Sequence, residues 1–374
     1  MKRPQNWNQP CPNTACCHSE QKNQGNIRCI ASYRTHSGKR RIFEWTTCHV
    51  QFSETRGTVF FDLRTPEEKV IMALKMLLVR VSLTNIAFVL GVTEQTVLEW
   101  LERAAAQAEK ITTALLRDLP VTEVQLDEMW SFVKRKVSTQ SDGDPESPQE
   151  ADDGRQWVWV SYAPQYRLIL ATVVGPRTYE TALQLIQLTA RIVLGIPAFF
   201  SDGFSPYFQA LLACYHTITT FPRTGKRGAP KKPVTAPHPD LVYGQVVKKK
   251  RKGRLVQVVT RVVCGTERLA TMGLTISTTL LERLNLTFRQ ALAPLARKTL
   301  SFSKERRHLE QHTQFFQAFY NMARPHMSLR DQMTDTPQRF AQRWRPRTPA
   351  MAAGITDHVW TFSELLTAKC GHIP

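Results

Sequence analysis

Three acidic residues stand where their side chains could share divalent cations. Asp202 follows the apolar run AFFS and directly precedes a glycine, so it lies where a buried strand ends. Asp127 lies between Leu126 and Trp130 in another apolar stretch. A carboxylate in such a position is costly to keep ionised unless a cation or a hydrogen-bond donor pairs with it. Both aspartates are therefore candidate ligands or catalytic groups.

Glu282 is the third candidate. In STTLLERLNLTFRQ the leucines and the phenylalanine fall on one helical face, and Glu282, Asn285 and Arg289 fall on another. Glu282 can therefore face the two aspartates with Asn285 beside it. Clustered carboxylates repel one another unless cations neutralise them, and oxygen ligands suit Mg²⁺ or Mn²⁺. Two such ions can activate a nucleophile and stabilise the leaving oxygen of a phosphodiester. The alternative for each acid is a cap or a surface charge.

The early cysteines suggest a second kind of metal site. Cys11, Cys16 and Cys48 have a spacing that suggests a zinc ribbon, in which two ligand pairs hold one ion tetrahedrally. The second pair is incomplete, because Trp45 occupies the position where a CxxC motif would begin. Either Cys29, Cys17 or His18 completes the site, or the ribbon is degenerate and binds no zinc.

Residues 66–115 have the pattern of a helix-turn-helix. Ser82 can cap one helix, Gly91 can make the turn, and Thr93 can cap the second helix. Five apolar residues would pack the two helices together: Ile86, Leu90, Val92, Val97 and Leu101. The second helix would then lie in a DNA major groove. The alternative is a plain helical hairpin, and Glu94 and Glu99 on the second helix favour weak DNA contact.

The segment that carries the aspartates has an α/β pattern. Strands are predicted over 121–133, 156–163, 166–175, 198–202 and 215–221. An amphipathic helix over 178–195, ending at Gly195, separates the third strand from the fourth. Residues 138–155 form an acidic surface insertion. A further strand is predicted over 255–265, helix over 277–322, and weak structure after Pro325.

The charge of the chain favours a polyanionic partner. The 374 residues include 50 Lys and Arg against 31 Asp and Glu, a net charge of +19. Residues 223–254 carry eleven of these cations and one acid, which predicts a basic loop or arm. The candidate DNA-binding residues are Gln95, Arg103, Arg223, Lys226, Arg227, Lys248, Lys249, Lys250, Arg251, Lys252 and Arg289. Each could equally be a solvated charge.

No apolar run is long enough to cross a bilayer, and the N-terminal residues lack the apolar segment of a signal peptide. We therefore expect no membrane association and a cytoplasmic protein.

Several separated motifs together resemble bacterial insertion-sequence transposases of the DDE type. They are YRTHSGKRRIFEWTTCHVQFSETRGTVFF, LDEMWSFV, FFSDGFSPYF, LLERLNLTFRQALAPLARKTLSFSK and YNMARPHMSLR. The nearest kind is the insertion sequence one family or a single-frame relative. The resemblance implies a zinc ribbon and a helix-turn-helix before an RNase H-like core. It places the catalytic acids at Asp127, Asp202 and Glu282. Trp45 departs from the family pattern at a ribbon cysteine.

These observations lead to one functional prediction with two alternatives. The chain is expected to cut and join double-stranded DNA at the terminal repeats of an element, with Mg²⁺ or Mn²⁺ and possible Zn²⁺, as a homo-oligomer associated with the bacterial nucleoid. The alternatives are a non-catalytic repressor of the element and a structure-selective nuclease. The predicted domains are 1–57 (zinc ribbon), 58–118 (helix-turn-helix), 119–330 (α/β RNase H-like core) and 331–374 (tail).

Overall fold

A computed structural model describes residues 11, 13, 15–17, 25, 27–35, 38–134, 154–220, 232–251, 254–333 and 343–369. The chain divides into two compact units. The first unit comprises the residues up to 115 together with 291–293 and 311–374, and the second comprises 116–290 and 294–310. The predicted four-domain division stays a prediction.

The first unit begins with a small antiparallel sheet in the order β1-β2-β3, formed by Ile27–Thr35, Gly38–Trp45 and Gln51–Ser53. Its buried core contains Ile27, Phe43, Trp45 and Phe52 together with two cysteines. Trp45 is fully buried. The tryptophan at the interrupted CxxC position therefore packs in the core of the ribbon-like sheet.

Three helices follow in the same unit: α1 (Glu67–Leu77), α2 (Leu83–Leu90) and α3 (Glu94–Leu115). Ser82 accepts a hydrogen bond from the backbone of Asn85, as expected of an N-cap. Gly91 ends α2 in the left-handed conformation. Of the residues predicted to pack the helices, Ile86, Val97 and Leu101 are buried, while Leu90 and Val92 are half-buried.

The second unit contains a six-stranded mixed sheet in the order β11-β10-β7-β4-β5-β6. The strands are β4 (Glu123–Val133), β5 (Gly154–Ala163), β6 (Leu168–Gly175), β7 (Ala198–Ser201), β10 (Val242–Arg251) and β11 (Arg254–Cys264). Strands β4, β7 and β10 pair in parallel, and β5 and β11 run antiparallel to them. Strand β6 is antiparallel to β5 and therefore runs in the same direction as β4. This mixed α/β layer is compatible with an RNase H-like core.

Helices cover both faces of this sheet, which explains why its strands are apolar on both sides. They are α4 (Tyr179–Ile192), α5 (Pro206–Cys214), α6 (Thr266–Met272) and α7 (Thr279–Ala291). On one face the backbone of Leu281 in α7 donates to Gln125 Oε1 at 3.0 Å. On the other face Tyr207 in α5 donates from its hydroxyl to Glu128 Oε2 at 2.8 Å. Side chains at odd and even positions of β4 thus contact helices on opposite faces of the sheet.

Two strand predictions were wrong in their details. The strand predicted over 215–221 is β8 (His216–Thr219), and it pairs with β9 (Val234–Pro237) in a separate two-stranded sheet. Strand β10, which lies within the segment predicted to be a basic loop or arm, pairs with β7. The valines of β10 supply the apolar face that a buried strand requires, and the neighbouring lysines obscured this pattern. Residues 138–153 of the predicted acidic insertion lie outside the described residues, while Gly154 and Arg155 belong to β5.

Two predicted helices also differ from the observed ones in where they end. Helix α4 ends at Ile192, and Gly195 adopts its positive φ of 75° in the following turn. The predicted helix over 277–322 is divided into α7, a 3₁₀ turn (Ala293–Leu295), α8 (Arg306–Ala318) and a π turn (Phe319–Ala323).

Weak structure was predicted after Pro325, but the residues that the structure describes there contain regular structure. It includes a 3₁₀ turn (Met327–Leu329), strands β12 (Asp331–Gln332) and β13 (Trp344–Arg345), and helices α9 (Pro349–Ala352) and α10 (Phe362–Thr367). Thr361 and Glu364 form a capping box at the start of α10.

Two glycines with similar backbone angles allow a matched stability test. Gly265 has φ 77°, and a Cβ placed on it would lie 2.5 Å from Leu241 O, whereas Gly195 has φ 75° and open space around it. We expect Gly195→Ala to lower the free energy of unfolding by about 1–2 kcal/mol, the cost of a left-handed alanine. Gly265→Ala adds a clash with rigid backbone and is expected to cost about 1–3 kcal/mol more. Urea unfolding measures both, and equal losses would contradict the packing at Gly265.

Candidate functional site

Strand register brings the two aspartates together. The parallel pair β4 and β7 aligns Leu126 with Ser201, and the next residue on each strand is an aspartate. Strand β7 ends at Ser201, so Asp202 lies in the turn that follows, where the backbone of Phe204 donates to its Oδ1 at 3.0 Å. Carboxylate oxygens of Asp127, Asp202 and also Glu128 lie within 4.8 Å of one another. These residues form the acidic cluster.

Glu282 lines the same cavity but is not part of this close group. The cavity of about 640 Å³ is lined by Asp127, Asp202, Glu282 and Lys248, among others. Glu282 Oε1 accepts a hydrogen bond from Thr278 Oγ1 at 3.0 Å and an ion-pair contact from Lys248 Nζ. All three predicted acids therefore meet at one cavity, while the third acid in close contact with the aspartates is Glu128.

Asn285 connects α7 to the acidic cluster. Its Nδ2 donates to Asp127 Oδ2 at 2.6 Å, and the backbone of Glu128 donates to Asp127 Oδ1 at 2.9 Å. Asn285 Oδ1 is buried and has no hydrogen-bond partner among the described residues. A buried carbonyl oxygen without a donor is rare in folded proteins, and beside three carboxylates it favours a bound cation or ordered water.

Burial and mutual repulsion make the cluster hard to ionise. Burial raises the pKa of Asp127 to about 6, and the negative charges of Asp202 and Glu282 act in the same direction. Burial also raises the pKa of Glu128 to about 7, assisted by Asp202 and opposed by Arg177 and Tyr207. Both carboxyl groups therefore ionise at higher pH than is usual, and a nearby cation would favour their charged forms.

The donor set fits a divalent cation of the magnesium type. Every candidate ligand atom is a carboxylate or amide oxygen, and no sulfur or imidazole lines the cavity among the described residues. Asp127 and Asp202 are close enough to share one ion, with Glu128 and Glu282 on either side of them. The arrangement can bind cations and position a phosphodiester near them.

Sequence reasoning missed Glu128 and Arg177. Glu128 is only 8% exposed although it lies in a strand otherwise packed with apolar residues. A glutamate at a core position of a strand is itself a signal, because an ionisable residue is seldom buried without a partner. Its partner is Arg177, whose Nε donates to Glu128 Oε1 at 2.7 Å. No spacing rule identifies that arginine, since it comes from a loop 49 residues away in sequence.

Comparisons with known proteins give limited results. The chain matches no protein-family model and no curated protein. Among solved structures it is similar to "Mos1 transposase paired-end complex with left transposon end", with 16% identity over 38% of this chain and 56% of that chain and a TM-score of 0.16. It is also similar to "Crystal structure of the Mos1 mariner paired end complex with Mn", with 15% identity over 36% and 52% and a TM-score of 0.16. A third is "Crystal structure of the mariner Mos1 paired end complex with Mg", with 17% identity over 34% and 49% and a TM-score of 0.14.

The chain spans about half the length of these Mos1 structures. A TM-score this low gives no support to a particular function. The similarity also does not link the chain to the insertion sequence one family, so that assignment stays a prediction. Among the described residues, no helix is both long and apolar enough to cross a membrane.

In the first unit, three of the predicted zinc ligands converge. Cys11 Sγ lies 3.3 Å from Cys48 Sγ, and the sulfurs of Cys11, Cys16 and Cys48 lie within 4.8 Å of one another. Of the possible fourth ligands, Cys17 and Cys29 are exposed and outside this group, and His18 lies outside the described residues.

The thiols of this group differ in acidity. Burial raises the pKa of Cys11 to about 12. The pKa of Cys48 is lowered. Burial acts to raise it, but hydrogen bonds with Val50, Cys11 and Cys16 outweigh that effect. Three converging sulfurs fit the ligand chemistry of zinc, with the fourth position unassigned.

The candidate DNA-binding residues fall into different environments. Gln95 is exposed in the first turn of α3, and Lys248, Lys249 and Arg251 are exposed on β10. Arg103 donates to Phe61 O at 2.6 Å and Arg289 to Leu295 O at 3.2 Å, so both guanidinium groups are engaged within their own units. The remaining positions, Arg223, Lys226, Arg227, Lys252 and the side chain of Lys250, lie outside the described residues.

The acidic cluster predicts a pH-dependent stability in the absence of divalent cations. Because the pKa of Asp127 is raised from 3.8 to about 6, the folded state binds more protons than the unfolded state between these values, so stability falls as pH rises through this window. Between pH 4 and pH 6.5 the free energy of unfolding of Asp127→Asn is expected to rise by about 2 kcal/mol relative to that of wild type. This is somewhat less than the whole pKa shift would give, because the carboxyl is partly solvated. Urea unfolding in EDTA measures this difference, and parallel pH curves would contradict it.

The converging thiols predict a stoichiometric zinc site. Purified protein is expected to carry about one zinc per chain by elemental analysis, because deprotonated thiolates at this spacing bind Zn²⁺. Cys48→Ser should lose that zinc. Cys29→Ser is the matched control and should retain it, because the Cys29 thiol lies outside the cluster. Equal zinc content in the two variants would exclude the cluster as the ligand set.

Proposed function

We propose that this chain is a DDE-type DNA transposase that cleaves the ends of an insertion sequence and joins them to target DNA. The observation that carries the proposal is the convergence of Asp127, in β4, and Asp202, directly after the parallel strand β7, with Glu282 lining the same cavity. Carboxylates in this arrangement suit metal-dependent chemistry on phosphodiesters. The net charge of +19 supports a polyanionic substrate.

The chain's own residues have distinct roles in this proposal. Mg²⁺ or Mn²⁺ bound here would polarise the phosphodiester, activate the attacking oxygen and stabilise the leaving oxygen. Asp127 and Asp202 would hold the cations, and Asn285 and the backbone of Phe204 orient their carboxylates. Glu282 would complete the ligand set, and Thr278 fixes one of its oxygens. Hydrolysis at the element end and attack by the freed 3′-hydroxyl are both in-line displacements, so one site serves both.

DNA recognition is assigned to the first unit and to β10. Helix α3 would present Gln95 at its start to the major groove, and the capped turn at Gly91 supports a helix-turn-helix. Cys11, Cys16 and Cys48 would hold zinc in a ribbon. The exposed lysines of β10 extend from the cavity and would contact phosphates. Arg103 and Arg289 contribute less, because each already donates to a backbone carbonyl.

The finer assignments belong to the same proposal. They are the insertion sequence one family, an RNase H-like core, a homo-oligomer that joins two DNA ends, and a cytoplasmic enzyme of the bacterial nucleoid. The chemistry itself motivates the oligomer, since two ends must be processed together.

Cleavage of labelled DNA tests the proposal. The probe is a duplex carrying the sequence that borders the reading frame, incubated with Mg²⁺ or Mn²⁺. Asp127→Asn, Asp202→Asn and Glu282→Gln are each expected to lower the cleavage rate by roughly 100-fold or more, because each removes a charged ligand of the cations that would stabilise the transition state. Glu267→Gln replaces an exposed acid elsewhere in the second unit and should cleave like wild type.

The same assay separates the alternatives. A repressor would bind the duplex with no cleavage in wild type or variants. A nuclease would cut branched DNA or RNA–DNA hybrid and transfer no strand. Cleavage by Asp127→Asn at the wild-type rate would contradict the assignment of the site.

A further inference from the structure

Arg177 lies in the loop between β6 and α4 and is held rigidly beside the acidic cluster. Its Nε and Nη2 donate to Glu128 Oε1 at 2.7 Å and 2.5 Å. Its guanidinium carbon lies 4.1 Å from the ring centre of Phe204 and 5.2 Å from that of Trp157. A planar cation stacked on an aromatic ring and fixed along one edge loses little further entropy when it binds a ligand.

Glu128 is itself immobilised, so the pair is a fixed unit. Tyr207 is fully buried and donates to the second oxygen of Glu128 at 2.8 Å. Glu128 is therefore held from both of its oxygens. A buried ion pair seldom adds net stability over an apolar pair of the same volume. Stability alone is therefore a weak explanation for the Glu128–Arg177 pair.

The other edge of Arg177 faces the cavity. Its side chain is 38% exposed, it lines the cavity with Asp127 and Asp202, and its Nη2 lies 3.8 Å from Asp202 Oδ2. Nη1 makes no hydrogen bond to any described residue. The other cation of the cavity, Lys248, is in contact with Glu282. Arg177 thus offers an N–H donor to the cavity next to Asp202, which directly follows β7.

We propose that Arg177 binds a non-bridging phosphate oxygen of the nucleic-acid strand that enters the acidic cavity. This inference rests on the proposed function and adds a substrate-contacting residue to it. Phosphate oxygens approaching clustered carboxylates meet repulsion, and a fixed guanidinium beside them offsets it. The geometry of an arginine fork also suits phosphate better than an ammonium group does.

The salt dependence of DNA binding tests the contact directly. Affinity for a fluorescent duplex is measured in EDTA from low to moderate salt, so that no cleavage interferes. Loss of one phosphate contact is expected to lower the slope of log K against log salt by about 0.9 and to weaken binding about tenfold at low salt. Arg177→Ala should show both effects. Arg177→Lys keeps the charge and should retain the slope.

A matched control separates this contact from general positive charge. Arg191 is exposed in the last turn of α4 and does not line the cavity. Arg191→Ala should retain the wild-type slope. A loss of slope equal to that of Arg177→Ala would overturn the assignment, because the effect would then be non-specific.

Unfolding must be excluded, since Arg177→Ala leaves Glu128 buried without its partner. The double variant Glu128→Gln, Arg177→Met removes both charges with similar volume and should also lose about 0.9 of slope while retaining a cooperative thermal transition. A wild-type slope in this folded double variant would overturn the proposal.

Cleavage kinetics give an independent readout. With Mg²⁺, Arg177→Lys should bind the duplex within about threefold of wild type but cleave at least tenfold more slowly, because the fork that orients phosphate is lost. Wild-type cleavage by this variant would count against orientation by Arg177. If wild type neither binds nor cleaves DNA, the proposed function itself fails. If wild type cleaves, Asp127→Asn does not, and the Arg177 slopes match wild type, only the phosphate contact fails.

Discussion

The parallel pairing of β4 with β7 is the constraint on which the acidic site depends. Four residue pairs from Glu123 and Ala198 to Leu126 and Ser201 set the register, and the aspartates are the next residue on each strand. A shift of one residue would move a side chain to the opposite face of the sheet. The early end of β7 then leaves space beside β4. A cavity can form there because the neighbouring strand no longer occupies that side of the sheet.

Hydrogen bonds and basic side chains offset part of the repulsion among the clustered acids. Glu128 pairs with Arg177, and Glu282 pairs with Lys248. Asp202 accepts a backbone hydrogen bond and lies near Arg177. These partners come from different elements of the second unit, so the electrostatic balance depends on the tertiary fold. The raised pKa values of Asp127 and Glu128 show that compensation is incomplete.

Much of this arrangement follows from sequence pattern, and the rest depends on tertiary contacts. The apolar runs predicted β4 to β7, and helical periodicity predicted that Glu282 and Asn285 share a face; Asn285 indeed donates to Asp127. Glu128 was missed because strand alternation assigns it to the face opposite Asp127, where a core residue was expected. Strand β10 was missed because its lysines dominate the composition of a segment that also contains prolines and glycines. Arg177 was missed because loop residues carry no periodicity.

If a divalent cation binds at this site, competition with the basic side chains would make Asp127 its principal ligand. Such an ion would compete with Lys248 for Glu282 and with Arg177 for Asp202. At Asp127 it meets only neutral donors, the amide of Asn285 and the backbone of Glu128, and no salt bridge to a described residue. Relief of repulsion is also greatest there, because burial and two neighbouring acids already raise its pKa. A cation would therefore gain most at Asp127 and displace least, and in the proposed function Arg177 and Lys248 would then be available to phosphates.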